Sequence, residues 1–283
     1  MPLLVLVSFI WAFSPGLIKG RLTGIDPTAV ATIRLGLALI VFLPFFRPRG
    51  LSPATLLRLG LVGTVQFGLM YLFYLRAFPL LPAYAVGLFT ITTPIYLVLL
   101  DAAASRRWQP RYAFASLLAL AGAGVMLIRD RGLSGDWLHG CLLVQLSNLC
   151  FAAGQLAWRR ERAKLPAATS DAALFALPYA GAFLATAIVS MCATDWPAIP
   201  LTTSHLITLL YLGAIASGLA FFLWNLGATR VGTGTLAVLN NAKIPLTVSC
   251  SLLFFGEHAD PLRLSASLAL LALALWVAEL KPA

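Results

Sequence analysis

Apolar runs of about twenty residues, separated by short polar breaks, fill the chain almost from end to end. A helix rising 1.5 Å per residue needs about 20 mainly apolar residues to cross a hydrocarbon layer of ~30 Å. Ten segments meet that requirement: Pro2–Ile18, Pro27–Phe46, Ala54–Phe78, Leu80–Leu100, Tyr112–Ile128, Trp137–Trp158, Ala172–Cys192, Leu206–Thr229, Val231–Phe255 and Leu262–Leu280. The breaks at Phe78–Leu80 and Thr229–Val231 rest on Pro79, Pro82, Gly232 and Gly234 more than on polar residues. The pattern predicts an all-α integral membrane protein with ten transmembrane helices.

Composition excludes the alternatives. Hydrophobic residues make up 60% of the 283 and charged residues 11%, whereas soluble domains carry about 25% charged residues. The net charge of +10 sits in short loops, which reads as a positive-inside pattern and not as a nucleic-acid footprint. With a cytoplasmic N-terminus, the inner loops and C-terminus hold 12 Lys and Arg and the outer loops 6, with Arg34 and Lys243 inside spans. Both termini are therefore expected on the cytoplasmic side. Met1 leads straight into an apolar run with no basic n-region, and Lys19-Gly20-Arg21 offers no small-x-small cleavage site, so the first helix is expected to be retained. Cys141, Cys150, Cys192 and Cys250 lie in apolar segments without C-x-x-C or zinc spacing and read as packing residues.

The chain also repeats itself. An offset of 151 aligns Ala77 with Ala228, Leu88 with Leu239, Pro94 with Pro245 and Pro110 with Pro261. An offset of 140 lays Trp11 on Phe151 and Lys19 on Arg159. The halves, residues 1–132 and 133–283, hold five predicted helices each. Five is odd, so the halves enter the membrane in opposite directions. Inverted repeats are a hallmark of secondary transporters, with the substrate site near midplane at the repeat interface.

At this point particular residues resemble a known family. Trp11, Arg34 in "TIRLGLAL", the stretch "LRAFPLLPAYAVGLFTITTPIY" and its counterpart "LWNLGATRVGTGTLAVLNNAKIPLTVSCSLLFFGEHADP", with Gly256-Glu257 after the ninth helix, resemble the drug/metabolite transporter superfamily, in its branch with duplicated EamA domains. The likeness runs over nearly the whole chain. It departs where Arg106 stands at the place of the Gly-Glu acid and at the chain start, which has no cytoplasmic tail. The resemblance implies an inner-membrane or plasma-membrane carrier, often an exporter of amino acids or other metabolites, and makes each half one EamA-like repeat. It leaves the substrate open.

Lys243 lies about 12 residues into the ninth span, near midplane. A lysine there costs about 2.5–3.5 kcal/mol to insert and usually faces a wet cavity. It is expected to meet an anionic group, or to titrate when desolvated; the structural alternative is a lysine tied to backbone carbonyls. Arg34, about seven residues into the second span, reaches the same cavity or anchors a loop. Helical spacing puts Asn240, Lys243 and Thr247 on one face, and the repeat maps them to Phe89, Thr92 and Tyr96; the two faces are expected to oppose each other. Gln66, Asn148, Gln155 and Asn225 are amides within spans, for which interhelical hydrogen bonding is the plain reading; Gln66 and Asn148 are also taken as cavity candidates. Ser14-Pro15-Gly16 is expected to break the backbone ladder of the first helix, through a cavity-facing Ser14 or a simple kink. Trp11, Trp224 and Tyr71 form a candidate aromatic wall, or pack.

All ten acids lie at span ends or in loops. There is no catalytic constellation, P-loop or metal spacing. The expectation is a carrier working by alternating access, without cofactor or metal, surrounded by membrane lipid and not bound to nucleic acid. Its expected substrate is a small anionic or zwitterionic metabolite such as an amino acid or organic acid, with export following family habit. The rival readings are a carrier for neutral or drug-like compounds, a non-transporting membrane protein and an intramembrane enzyme.

Overall fold

The computed structural model describes residues 2–48, 50–106, 136–256 and 260–279, with 110, 114, 117, 118, 121, 122 and 125 between them. Among these residues there are helices, turns and no strand. Seven helices are long and apolar enough to cross a membrane: α1 (Pro2–Arg21), α2 (Pro27–Phe45), α3 (Pro53–Arg76), α4 (Ala83–Ser105), α5 (Trp137–Ala163), α6 (Asp171–Ala193) and α7 (Thr203–Ala228). Two further helices follow, α8 (Thr233–Phe254) and α9 (Pro261–Glu279). The expected span Tyr112–Ile128 falls mostly outside the described residues, as do Glu257 and His258.

Helix starts follow local chemistry. Pro27 and Pro53 occupy first-turn positions, where a missing N–H costs nothing. Asp26 Oδ1 accepts from the Ala29 amide at 2.8 Å, and Ser52 Oγ from the Thr55 amide at 3.2 Å. Thr202 and His205 cap α7 reciprocally. At the other terminus, α4 closes on Arg106 in the left-handed region (φ 55°), and the chain after α8 passes through Gly256 at φ 65°.

Four spans are irregular, and each irregularity bears on the interior. The α1 helix breaks at Phe13, between Ala12 and Ser14, where Pro15 removes a ladder donor. The α4 helix tightens to a 3₁₀ turn over Thr90–Thr92. Pro94 has no N–H for the Thr90 carbonyl, and Thr93 Oγ1 donates to it instead at 2.7 Å. The α3 and α7 helices widen to π turns over Thr64–Leu69 and Tyr211–Leu219; such turns recur at functional sites.

Packing follows a regular scheme. The α1 helix lies against α7 and α8, and α5 lies against α3 and α4; α2 packs on α6 and α7, α3 on α6, and α4 on α8. Glycines let backbones touch along the α3–α6 seam. A Cβ built on Gly63 would stand 1.8 Å from the Pro178 carbonyl oxygen, and one on Gly181 2.0 Å from that of Gly60. Thr64 Oγ1 donates to the Gly181 carbonyl across the same seam at 3.0 Å. Large apolar side chains such as Leu57, Leu61, Leu184, Ile188 and Met191 stand exposed on the outside. A soluble monomer rarely tolerates such surface, and a bilayer covers it. The chain is a multi-pass membrane protein.

Candidate functional site

A cavity of ≈ 80 Å³ opens among α1, α2, α3, α4, α5, α7 and α8. Trp11, Phe151 and Phe221 form an apolar side, with Trp11 5.0 Å from Phe221 and 6.1 Å from Phe151 between ring centroids. Trp224 stands behind Trp11 at 5.0 Å, and the Trp11 indole donates to the Ala216 carbonyl at 2.8 Å. Hydroxyls and an amide line the other parts: Ser14, Tyr71, Tyr74, Thr90, Thr93, Ser147, Asn148 and Thr247.

Arg34 supplies the charge. It is 2% exposed and lines the cavity. Its Nε donates to Ser217 Oγ at 3.1 Å and its Nη2 to Tyr71 Oη at 2.5 Å. The guanidinium carbon lies 4.4 Å from the Tyr71 ring centroid. Tyr71 and Ser217 also share a hydrogen bond at 2.9 Å. Arg34 Nη1 has no hydrogen-bond partner, and Ser14 Oγ, also on the cavity, has none. Among the described lining residues there is no Asp or Glu. The buried guanidinium is held by neutral hydroxyls and its Nη1 is left without a partner; groups of this kind pair well with carboxylates and similar anions.

Of the residues singled out by sequence, Trp11, Ser14, Arg34, Tyr71, Asn148 and Thr247 come together on this cavity. Asn148 Nδ2 donates to the Phe89 carbonyl, freed near the 3₁₀ turn, and to Thr92 Oγ1, both at 2.9 Å. Thr92, Tyr96, Gln66 and Asn240 are not among the lining residues. Thr92 and Tyr96 turn to α5, where both donate to Gln145 Oε1, at 2.5 and 3.3 Å. Gln66 Nε2 donates to Asn225 Oδ1 at 3.0 Å. Asn240 and Gln155 exchange bonds of 3.4 and 3.5 Å. These four buried amides form a layer beside the cavity. Each lies four to seven residues from a lining residue on its own helix, toward the end that carries Arg159 and Arg230. Lys243 lies in α8 between Asn240 and Thr247, and its side chain is outside the described ones.

Ser217 had no sequence signal of its own, and Tyr71, taken for a candidate wall residue, had none for its bond to Arg34. Tyr71 and Ser217 hold Arg34, and each follows or lies in a π turn, where 3.6-residue periodicity misplaces side chains. A buried Arg in a span without an acid was the available hint that hydroxyl partners exist.

Known proteins resemble this chain over nearly its whole length. The EamA-like transporter family matches residues 1–129. The biotin transporter of Salmonella typhimurium is 38% identical over 98% of this chain and 92% of its own length. A probable biotin transporter of Pseudomonas aeruginosa is 37% identical over 99% and 98%. The threonine/homoserine exporter RhtA of Escherichia coli K12 is 27% identical over 96% and 89%. A crystal structure 22% identical in sequence superposes with a TM-score of 0.74, covering 98% of this chain and 96% of the other, which supports the fold. The chain belongs to the EamA-like transporter family of the drug/metabolite transporter superfamily.

Proposed function

We propose that this chain is a secondary carrier for biotin or a closely similar carboxylate, working by alternating access in the cell's inner membrane with both termini cytoplasmic. The observation that carries the reading is Arg34, buried at the cavity with Nη1 unpartnered. Biotin presents a carboxylate, an apolar chain and a ureido ring. Arg34 matches the first, the Trp11, Phe151 and Phe221 side the second, and the Asn148, Thr90 and Thr93 groups the third. An amino acid such as threonine brings an ammonium as well. The described lining offers it no carboxylate, so the cavity favours an acid without an amine over the amino-acid exporter reading. Lys243 is proposed as a second cation on the same path, one helical turn from Thr247.

The architecture proposed is ten helices in two inverted repeats, residues 1–132 and 133–283. The packing scheme supports it, since α1 against α7 and α8 mirrors α5 against α3 and α4. The paired π turns of α3 and α7 support it too.

The test is counterflow in vesicles preloaded with biotin. Labelled biotin should exchange, and Arg34→Gln should slow exchange about tenfold or more, as loss of a charge-assisted bond of about 1.5–3 kcal/mol implies. Biotin amide, which lacks the anion, should exchange as slowly in the unaltered protein. Equal exchange of acid and amide would refute anion recognition, and exchange of threonine alone would favour the exporter reading.

A further inference from the structure

Two clefts lie at opposite ends of the bundle. One, of ≈ 120 Å³, sits between the end of α1 and the α3–α4 turn; the other, of ≈ 610 Å³, sits between the end of α5 and the α7–α8 turn. Much of their linings corresponds under the two offsets of the repeat, although Ile18, Gly24 and Val30 of the first have no counterpart in the second. Offset 140 pairs Leu22 with Arg162 and Ile25 with Leu165; offset 151 pairs Leu75 with Leu226 and Pro79 with Arg230. Each cleft also contains one cation that bridges it. Lys19 Nζ donates to the Phe78 carbonyl at 2.5 Å, and Arg159 Nη2 donates to the Val231 carbonyl at 3.0 Å. Lys19 and Arg159 are themselves a repeat pair. In both cases the acceptor is a carbonyl just past a helix C-terminus, where partial negative charge attracts a cation.

Both clefts run in series with the central cavity. On α1, Pro15 lines the cavity and Lys19 the cleft; on α3, Tyr74 lines the cavity and Phe78 the cleft. On α5 and α7 the matching steps are Phe151 to Leu156 and Phe221 to Leu226. Steps of four or five residues place each cleft about 6–8 Å along the helices from the cavity. On the alternating-access reading, a solute leaving the cavity toward either end passes the elements that the tether joins, and toward the Arg159 end the amide layer as well.

We infer that Lys19 and Arg159 are matched positioning residues, each holding shut one mouth of the transport path. The inference rests on the alternating-access reading above. Two different side chains at equivalent positions each reach a carbonyl of the matching turn, the acceptors lying two residues out of register (Phe78 corresponds to Thr229, two residues before Val231). The mouths differ in charge: Arg159, Arg160, Arg162 and Arg230 line the wider one together with Asp101 and Asp171, and Arg162 is paired with Asp171 at 2.5 Å, whereas Lys19 is the one charge among the described residues of the other.

The experiment uses the full chain in vesicles, with its four cysteines replaced and Ser147→Cys in the cavity as reporter. A membrane-impermeant maleimide is applied from each side in turn. Lys19→Gln should raise labelling from the side where α1 ends about tenfold relative to the other side, and Arg159→Gln should do the reverse, in line with one lost charge-assisted bond each. Lys19→Arg and Arg159→Lys should keep the original ratio. As a second arm that does not depend on the Gln variants folding, Lys19→Cys with Phe78→Cys, joined by a bifunctional thiol reagent, should block labelling from that side alone. Two-sided labelling whose ratio shifts the same way in both Gln variants, or stays within about twofold, overturns the tethers and leaves the carrier standing. Labelling from one side only in every variant overturns the carrier and the tethers together.

Discussion

Breaking the Gln66–Asn225 amide pair tests whether the layer beside the cavity holds the helices together. Both residues are fully buried, and the bond of 3.0 Å joins α3 to α7. Leucine at either position removes one partner and leaves the other amide unpaired. An orphaned buried polar group costs about 1–3 kcal/mol. Interhelical bonds in membranes average only about 0.6 kcal/mol, with a maximum near 1.7, because the unfolded state in the bilayer also finds partners. Asn225 Nδ2 also donates to the Phe221 carbonyl of its own helix at 2.9 Å, a minor loss because that carbonyl stays within the ladder. Gln66→Leu and Asn225→Leu are therefore each expected to lose about 1–2 kcal/mol. The double variant should lose about 1 kcal/mol less than their sum, since it leaves no orphan. The assay is equilibrium unfolding in mixed detergent micelles followed by circular dichroism, completed as a double-mutant cycle. Gln66→Leu combined with a substitution of Asn148, which bonds to Phe89 and Thr92 instead, is the control expected to be additive. Additivity of the Gln66 and Asn225 changes within about 0.3 kcal/mol would refute the reasoning.

Arg106→Gly should relieve a non-glycine residue held at φ 55°, a strain of about 1–2 kcal/mol offset by the greater freedom of glycine in the unfolded chain; a melting temperature higher by about 1–3 °C is expected, and a decrease would count against it. The positive-inside pattern places the Arg159–Lys164 segment on the cytoplasmic side, so Ala163→Cys in a chain without other cysteines should react with an impermeant thiol reagent only in inside-out vesicles.

The spans were legible because a bilayer demands long apolar runs, and the break at Phe13 was legible because Pro15 has no donor. Arg34 stood out because a charge in a span needs a reason. Its pairing with Tyr71 and Ser217 did not, because Ser217 lies inside a π turn and Tyr71 just past one, and each such turn shifts the faces that follow. The same limit moved Thr92 and Tyr96. The sequence pattern set them opposite α8; in the structure the helix tightens to a 3₁₀ turn at Thr90–Thr92 and both hydrogen-bond to Gln145 of α5. The pairing of Lys19 with Arg159 was visible as an alignment, whereas its meaning depends on two backbone carbonyls that no sequence pattern advertises.

The glycine seam between α3 and α6 has a mechanical consequence. With Gly63 against the Pro178 carbonyl and Gly181 against that of Gly60, the two helices touch backbone to backbone, closer than any larger side chain would allow. Under the alternating-access reading proposed above, this seam is expected to keep its spacing while α1 and α5 move. The molecule thus carries its own ruler. Spectroscopic labels at Leu61 and Leu184, one on each helix of the seam and both facing outward, would keep a constant separation through the cycle, against which the travel of α1 and α5 can be measured.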